Sequence, residues 1–123
     1  MGRVLFNKIF MHRIKIKPLS VNEAWQGRRF KTKKYDYFSA ELKSILPKLT
    51  LPESPYSISL VFGISKASDI DNPIKPVLDI LSQAYKFNDN LVHSLVVRKQ
   101  VVKRGGEFIG FEIRSFAEVE NLA

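Results

Sequence analysis

The chain contains no cysteine, which removes several chemistries at once. Thiol catalysis, disulfide frameworks and thiolate zinc sites are all excluded. Histidine is nearly absent too. His12 and His93 are isolated on strand-like segments, where core or surface roles outweigh catalysis. No apolar run approaches the ~20 residues of a membrane span, and no apolar stretch followed by small residues marks a signal peptide. A soluble, cytoplasmic protein with no membrane partner is the expectation. No repeat, low-complexity segment or Ser/Gly/Pro-rich linker interrupts the 123 residues. They predict one domain spanning 1–123, with 116–123 as a tail without pattern. A chain of this length buries roughly two-thirds of its unfolded surface, so its core needs no disulfide or structural metal.

Acidic residues are scarce in the first half. Residues 1–50 hold 12 basic residues against three acidic ones, Glu23, Asp36 and Glu41, a net of +9. Residues 51–123 hold 8 basic and 9 acidic residues, a net of −1. The excess of positive charge is therefore local, and a polyanion is its natural partner. Anionic lipid is a weaker fit, because the cations do not lie opposite a long apolar helix face. The run Arg28-Arg29-Phe30-Lys31-Thr32-Lys33-Lys34 reads as a phosphate-contacting loop, with a solvated basic loop as the alternative. Trp25 in the same region reads as loop packing or a stacking surface for a base.

Periodicity predicts the elements. Residues 9–17 alternate as a strand that Pro18 ends, and residues 18–34 read as a long polar loop. Tyr35, Phe38, Leu42, Ile45 and Leu46 recur at helical steps up to Pro47. Tyr56, Ile58, Leu60, Phe62 and Ile64 alternate as a second strand. Asn72 and Pro73 suit the N-cap and first position of a second helix. Its apolar face is Ile74, Val77, Leu78, Leu81, Ala84 and Tyr85, followed by a turn at Asn88-Asp89-Asn90. Segments 91–103 and 107–115 read as strands joined in a hairpin across Arg104-Gly105-Gly106, with Lys103 and Arg104 available to backbone phosphates. The sum is a small α+β domain: a mixed sheet of about four strands with two helices packed on it.

All four acidic residues between Ser54 and Gly106 are Asp: Asp69, Asp71, Asp79 and Asp89. Asp69 and Asp71 lie two apart in a segment without helical signal. If extended, that segment turns both side chains to one side, about 7 Å apart at the backbone. Asp89 follows the helix and can return toward the same place. Oxygen donors alone select Mg²⁺ or Mn²⁺ over Zn²⁺. Lys75, near the helix start, is set against the macrodipole, and its pairing with Asp79 is in the weaker order. A bound phosphodiester would account for it. The plain alternative is helix capping by the Asp residues and a solvated Lys75–Asp79 pair. An EF-hand is excluded because Ile74 occupies the glycine position.

The pattern Asp69-Ile-Asp71-Asn72-x-x-Lys75-x-x-x-Asp79-x-Leu81, with Asn88-Asp89 beyond it, resembles the RusA family of Holliday-junction resolvases. Pro18-x-Ser20-x-Asn22, Arg28/Arg29…Tyr35 and Gly105-Gly106 extend the likeness to about residues 14–113. The resemblance implies a homodimeric, Mg²⁺-dependent endonuclease that nicks opposed strands of a four-way DNA junction, typically in bacteria and their phages. It implies Asp69, Asp71 and Asp89 as metal-binding catalytic carboxylates and Lys75 as the essential lysine. Pro73 departs from the aliphatic residue usual in the family. On the residues alone, a non-catalytic nucleic-acid-binding domain stays open as the alternative.

Overall fold

The computed structural model describes residues 11–27 and 30–122. Its centre is the strand with the cleanest alternation, Tyr56–Ile64. Taking the strands in chain order, β1 is His12–Ile14, β2 Trp25–Gln26, β3 Phe30–Lys31, β4 Tyr56–Ile64, β5 Val92–Val101 and β6 Phe108–Ser115. The helices are α1 Val21–Ala24, α2 Lys33–Ile45, α3 Ile74–Tyr85 and α4 Phe116–Leu122. The main sheet has the order β1-β6-β4-β5, while β2 and β3 form a separate two-stranded ribbon. This is the small single-domain α+β architecture expected.

Alternation puts Ile58, Leu60 and Phe62 of β4 on one face, each almost fully buried. Ile109 and Phe111 of β6 lie beside them in the ladder, opposite Phe62 and Leu60. That face is covered by α2, through Tyr35, Phe38 and Leu42, and by α3, through Val77, Ile80 and Leu81. In α2, Thr32 is the N-cap and accepts from the Tyr35 amide at 3.1 Å, one of the donors a helix start leaves unpaired. Tyr35, Phe38 and Leu42 are core as expected. Ile45 instead faces solvent, because the helix ends there and Leu46 takes the inward position.

The predicted hairpin is overturned. β5 runs parallel to β4 and β6 runs antiparallel to it, so β4 separates the two strands. Residues 102–107 therefore arch over the end of β4, with the Val102 amide donating to the Ile64 carbonyl at 2.9 Å. Six residues easily span the two strand spacings, ~9.6 Å, that such an arch must cross. The glycines still make a turn: Gly105 has φ +95, and the Gly106 amide donates to the Lys103 carbonyl at 2.9 Å. Strand β5 instead enters parallel to β4 through α3, a βαβ unit that leaves β5 at the sheet edge.

Three further expectations change. The loop at 18–34 holds structure: Ser20 caps α1, and Thr32 ties the ribbon back through its bonds to the Glu23 and Ala24 carbonyls. Short elements of this kind have too little sequence period to be read. β1 is shorter than 9–17, and Ile9 and Phe10 lie outside the described residues. Ile14 and Ile16 are nevertheless buried, as alternation required. The tail forms α4, continuing straight from β6 and fixed by an Arg114–Glu118 pair at 3.2 Å and the Phe116 ring against His93.

Candidate active site

The segment from Ser65 to Pro73 joins β4 to α3 and carries Asp69 and Asp71. It is not extended. The Asn72 amide donates to the Asp69 carbonyl at 3.4 Å and the Ile74 amide to the Asp71 carbonyl at 3.2 Å, so two successive turns lead into the helix. Strand alternation therefore does not bring the Asp69 and Asp71 side chains together. The i→i+3 bonds compensate for the missing side-chain cap at the start of α3. Helix α3 begins at Ile74 behind Pro73, not at Pro73 behind Asn72, and Asn72 does not act as a cap. Its carbonyl is used elsewhere, accepting from the Val21 amide at 2.8 Å. Both aspartates are exposed.

Three hydrogen bonds hold this segment in place. Lys99 of β5 donates from Nζ to the Lys66 carbonyl at 2.9 Å and the Ser68 carbonyl at 2.5 Å. The hydroxyls of Ser65 and Ser68 bond each other at 2.8 Å. Lys99 thus positions the three residues before Asp69. Sequence reasoning missed it, because a strand lysine looks like a solvated charge until the partner loop is known. The register Phe62↔Lys99 places it beside the end of β4 from which the loop departs.

Lys75, the second residue of α3, gathers the rest of the site. Its Nζ lies 2.8 Å from Asp79 Oδ1 and 3.9 Å from Asp89 Oδ2. Asp89 reaches it from the 3-10 turn Asp89–Leu91, which Asn88 caps by accepting from the Asn90 amide at 3.1 Å. The hydrogen bond to Asp79 is the main cause that raises the Lys75 pKa above its ordinary value. Partial burial opposes the shift, and the charges of Asp79 and Asp89 reinforce it. The Asp79 side chain is only 13 % exposed, against 56 % for Lys75. Asp79 is thus the nearest and most sheltered partner of the lysine, although sequence order made the pair look weak. A buried carboxylate needs its counter-ion more than an exposed one does, and that outweighs the preference for Asp before Lys.

Asp69, Asp71 and Asp89 suit a hard divalent cation in donor chemistry, being carboxylates with no sulfur ligand nearby. Their arrangement is less complete. Among the described residues, no three His, Cys, Asp or Glu side chains gather closely enough to hold a metal ion. A cation held by all three would require these exposed side chains to reorient.

The expected DNA-contacting cations separate into three groups. Arg28 and Arg29 lie outside the described residues. Lys31 is occupied: its Nζ donates to the Tyr35 hydroxyl at 3.2 Å and sits 4.3 Å from the Tyr35 ring centre and 5.4 Å from that of Trp25. Trp25 accordingly packs within the fold, partly buried against the core. Lys34 pairs with Glu23 at 3.1 Å, an exposed pair that contributes little. Lys33, Lys103 and Arg104 are exposed and have no ion-pair partner among the described residues. His12 packs against the Phe111 ring with centres 5.2 Å apart, consistent with a structural role.

No protein-family model matches the chain, and no curated protein matches it significantly, so the resolvase resemblance rests on the motif residues themselves. No helix among the described residues is long and apolar enough to cross a membrane.

Proposed function

We propose that this chain is a structure-selective DNA endonuclease of the RusA type, dependent on Mg²⁺ or Mn²⁺ and acting on four-way junctions. The observation that carries the reading is the convergence at Lys75. Motif residues from three separate places, the start of α3, its second turn and the 3-10 turn beyond it, meet around one ammonium group. The Asp69–Asp71 turns lead directly into that helix. A lysine flanked by acidic side chains, with two further exposed carboxylates in the segment that leads into its helix, suits phosphodiester chemistry.

In this reading Asp69, Asp71 and Asp89 would hold the cation, whose chemistry when bound would be to activate water and neutralise phosphate charge. Lys75 stabilises charge that develops on the phosphate oxygens, once drawn from Asp79 toward the substrate. Asp79 keeps the ammonium aimed and fully protonated. Lys33, Lys103 and Arg104, with Arg28 and Arg29, meet backbone phosphates of the branched DNA. A homodimer would present two such sites to a symmetric junction, as paired nicking requires. The cytoplasm of a bacterial or phage-infected cell is the compartment that suits such a substrate.

The second reading, a nucleic-acid-binding domain without catalysis, draws on the same geometry. Asp79 already neutralises Lys75, and among the described residues no three carboxylates are gathered. A labelled four-way junction and a matched linear duplex, incubated with Mg²⁺ and with EDTA, separate the two. Symmetrical nicks in the junction alone, lost with EDTA and in Asp71→Asn while binding persists, support the nuclease. Binding without nicks in either Mg²⁺ or Mn²⁺ refutes it in favour of the binding module.

A further inference from the structure

The sheet face opposite α2 and α3 carries a groove of about 460 Å³, and the strand ladder explains its shape. One cross-strand row runs Arg13, Gly110, Val61, Arg98 through β1, β6, β4 and β5. Paired residues point to the same face, so two arginines stand at the ends of a floor made by a glycine and a valine. Three strand spacings of ~4.8 Å separate their backbones by about 14 Å. Phe108 lies flat across Gly63, where a Cβ would overlap its ring. Above that ring sits the Arg13 guanidinium, its central carbon 3.7 Å from the ring centre. Met11 covers Gly110 in the same way, since a Cβ there would come within 3.0 Å of its Sδ.

Both arginines are exposed, and neither has a carboxylate partner among the described residues. The volume falls in the range of small-ligand sites. A guanidinium held against an aromatic ring offers its outer side as a stacking plane, and a second guanidinium nearby matches a phosphate. Glu112 is the acidic residue of β6 in the neighbouring row, opposite Ser59. Its side chain is buried, with Oε1 shut off from solvent, so little of the carboxyl faces the groove. A second copy of the chain is the rival occupant, but it would bring four uncompensated arginines face to face.

We infer that this groove binds an unpaired nucleotide of a single nucleic-acid strand, with the base stacked on Arg13 and a phosphate on Arg98. It is a different surface from the carboxylate site and does not depend on cleavage.

The test is fluorescence anisotropy with a labelled oligo(dT) over a range of salt concentrations, without divalent cation. Arg98→Gln, at an exposed position, should flatten the log K against log salt slope by about 0.7, the amount for one phosphate that is no longer neutralised. Arg13→Lys keeps the charge but not the plane, and should weaken binding about tenfold with the slope unchanged. Lys43→Gln/Lys48→Gln, on the α2 side, is the charge control. The inference fails if oligo(dT) does not bind, or if the control lowers affinity as much as the groove variants do. It also fails if Arg98→Gln alters self-association measured by sedimentation but not oligonucleotide binding. Junction cleavage is scored separately, so loss of either idea leaves the other standing or falling on its own data.

Discussion

Replacing Lys99 with Met removes an ammonium group while keeping most of the stem, and so isolates what its two carbonyl contacts contribute. Hydrogen bonds to a charged group contribute about 1.5–3 kcal/mol each when sheltered. The bond to Lys66 is exposed and only that to Ser68 is partly buried, so the pair belongs near the low end. Regained hydration of the freed carbonyls reduces it further, leaving about 1–2 kcal/mol in total. For a chain of this length, ~1.5 kcal/mol lowers Tm by about 6 °C, taking ~2.1 cal/mol/K of unfolding entropy per residue. The loss should be concentrated in the 65–72 segment rather than spread over the sheet. Hydrogen exchange measures this directly: the Ser68 and Asn72 amides, which bond to the Ser65 and Asp69 carbonyls, should exchange faster in Lys99→Met, while amides in β4 should change only by the global amount. Lys99→Arg, which restores donors, should recover part of the protection. A variant with wild-type exchange at Ser68 and Asn72 would refute the idea that Lys99 holds the Asp69–Asp71 turns in place.

Two other perturbations test the sheet. The buried Glu112 carboxyl has an oxygen, Oε1, with no hydrogen-bond partner among the described residues. Burial raises its pKa, Arg114 opposes the rise and Glu118 adds to it. A raised folded pKa means that stability is fullest below the unfolded pKa of ~4.3 and declines as pH climbs through the folded value. Glu112→Gln cannot ionise, so its Tm should gain on the wild type as pH rises above about 4; a difference that does not change with pH contradicts the assignment. Gly63→Ala forces a methyl into the Phe108 ring, which is itself packed beneath Arg13. Overpacking of this kind costs about 2–3 kcal/mol and should lower Tm by about 10 °C. A drop under about 2 °C would mean that the ring can swing aside freely.

Much of the fold is legible because local physics and global packing agree. The limits of β4 follow from alternation alone, and the core positions of α2 follow from three- and four-residue steps ending at a proline. The glycine turn at 104–106 makes no hairpin for a definite reason. Such a turn specifies that the chain reverses, but not whether the two arms pair with each other or close around a third strand. That choice depends on β4, whose apolar residues occupy the centre of the sheet. The βαβ unit is equally readable in principle, as a strand, a helix and a strand in succession. Periodicity cannot rank it above the hairpin, since both need only that β5 be a strand.

The sequence by itself determined the single domain, the α+β class, the apolar face of each main element and the run of motif residues from Asp69 to Asp89. Those depend on composition, periodicity and residue type, which are local properties. Only the tertiary structure decided what each charged group meets. Asp79, which looked like the weak partner, became the sheltered counter-ion of Lys75. Lys31, which looked free for phosphate, is held against Tyr35 and Trp25. Arg13 and Arg98, far apart and unremarkable in the sequence, end on one cross-strand row. Charges interact through space at a few ångströms, and a sheet assembled from distant segments sets those distances after every local preference has been satisfied.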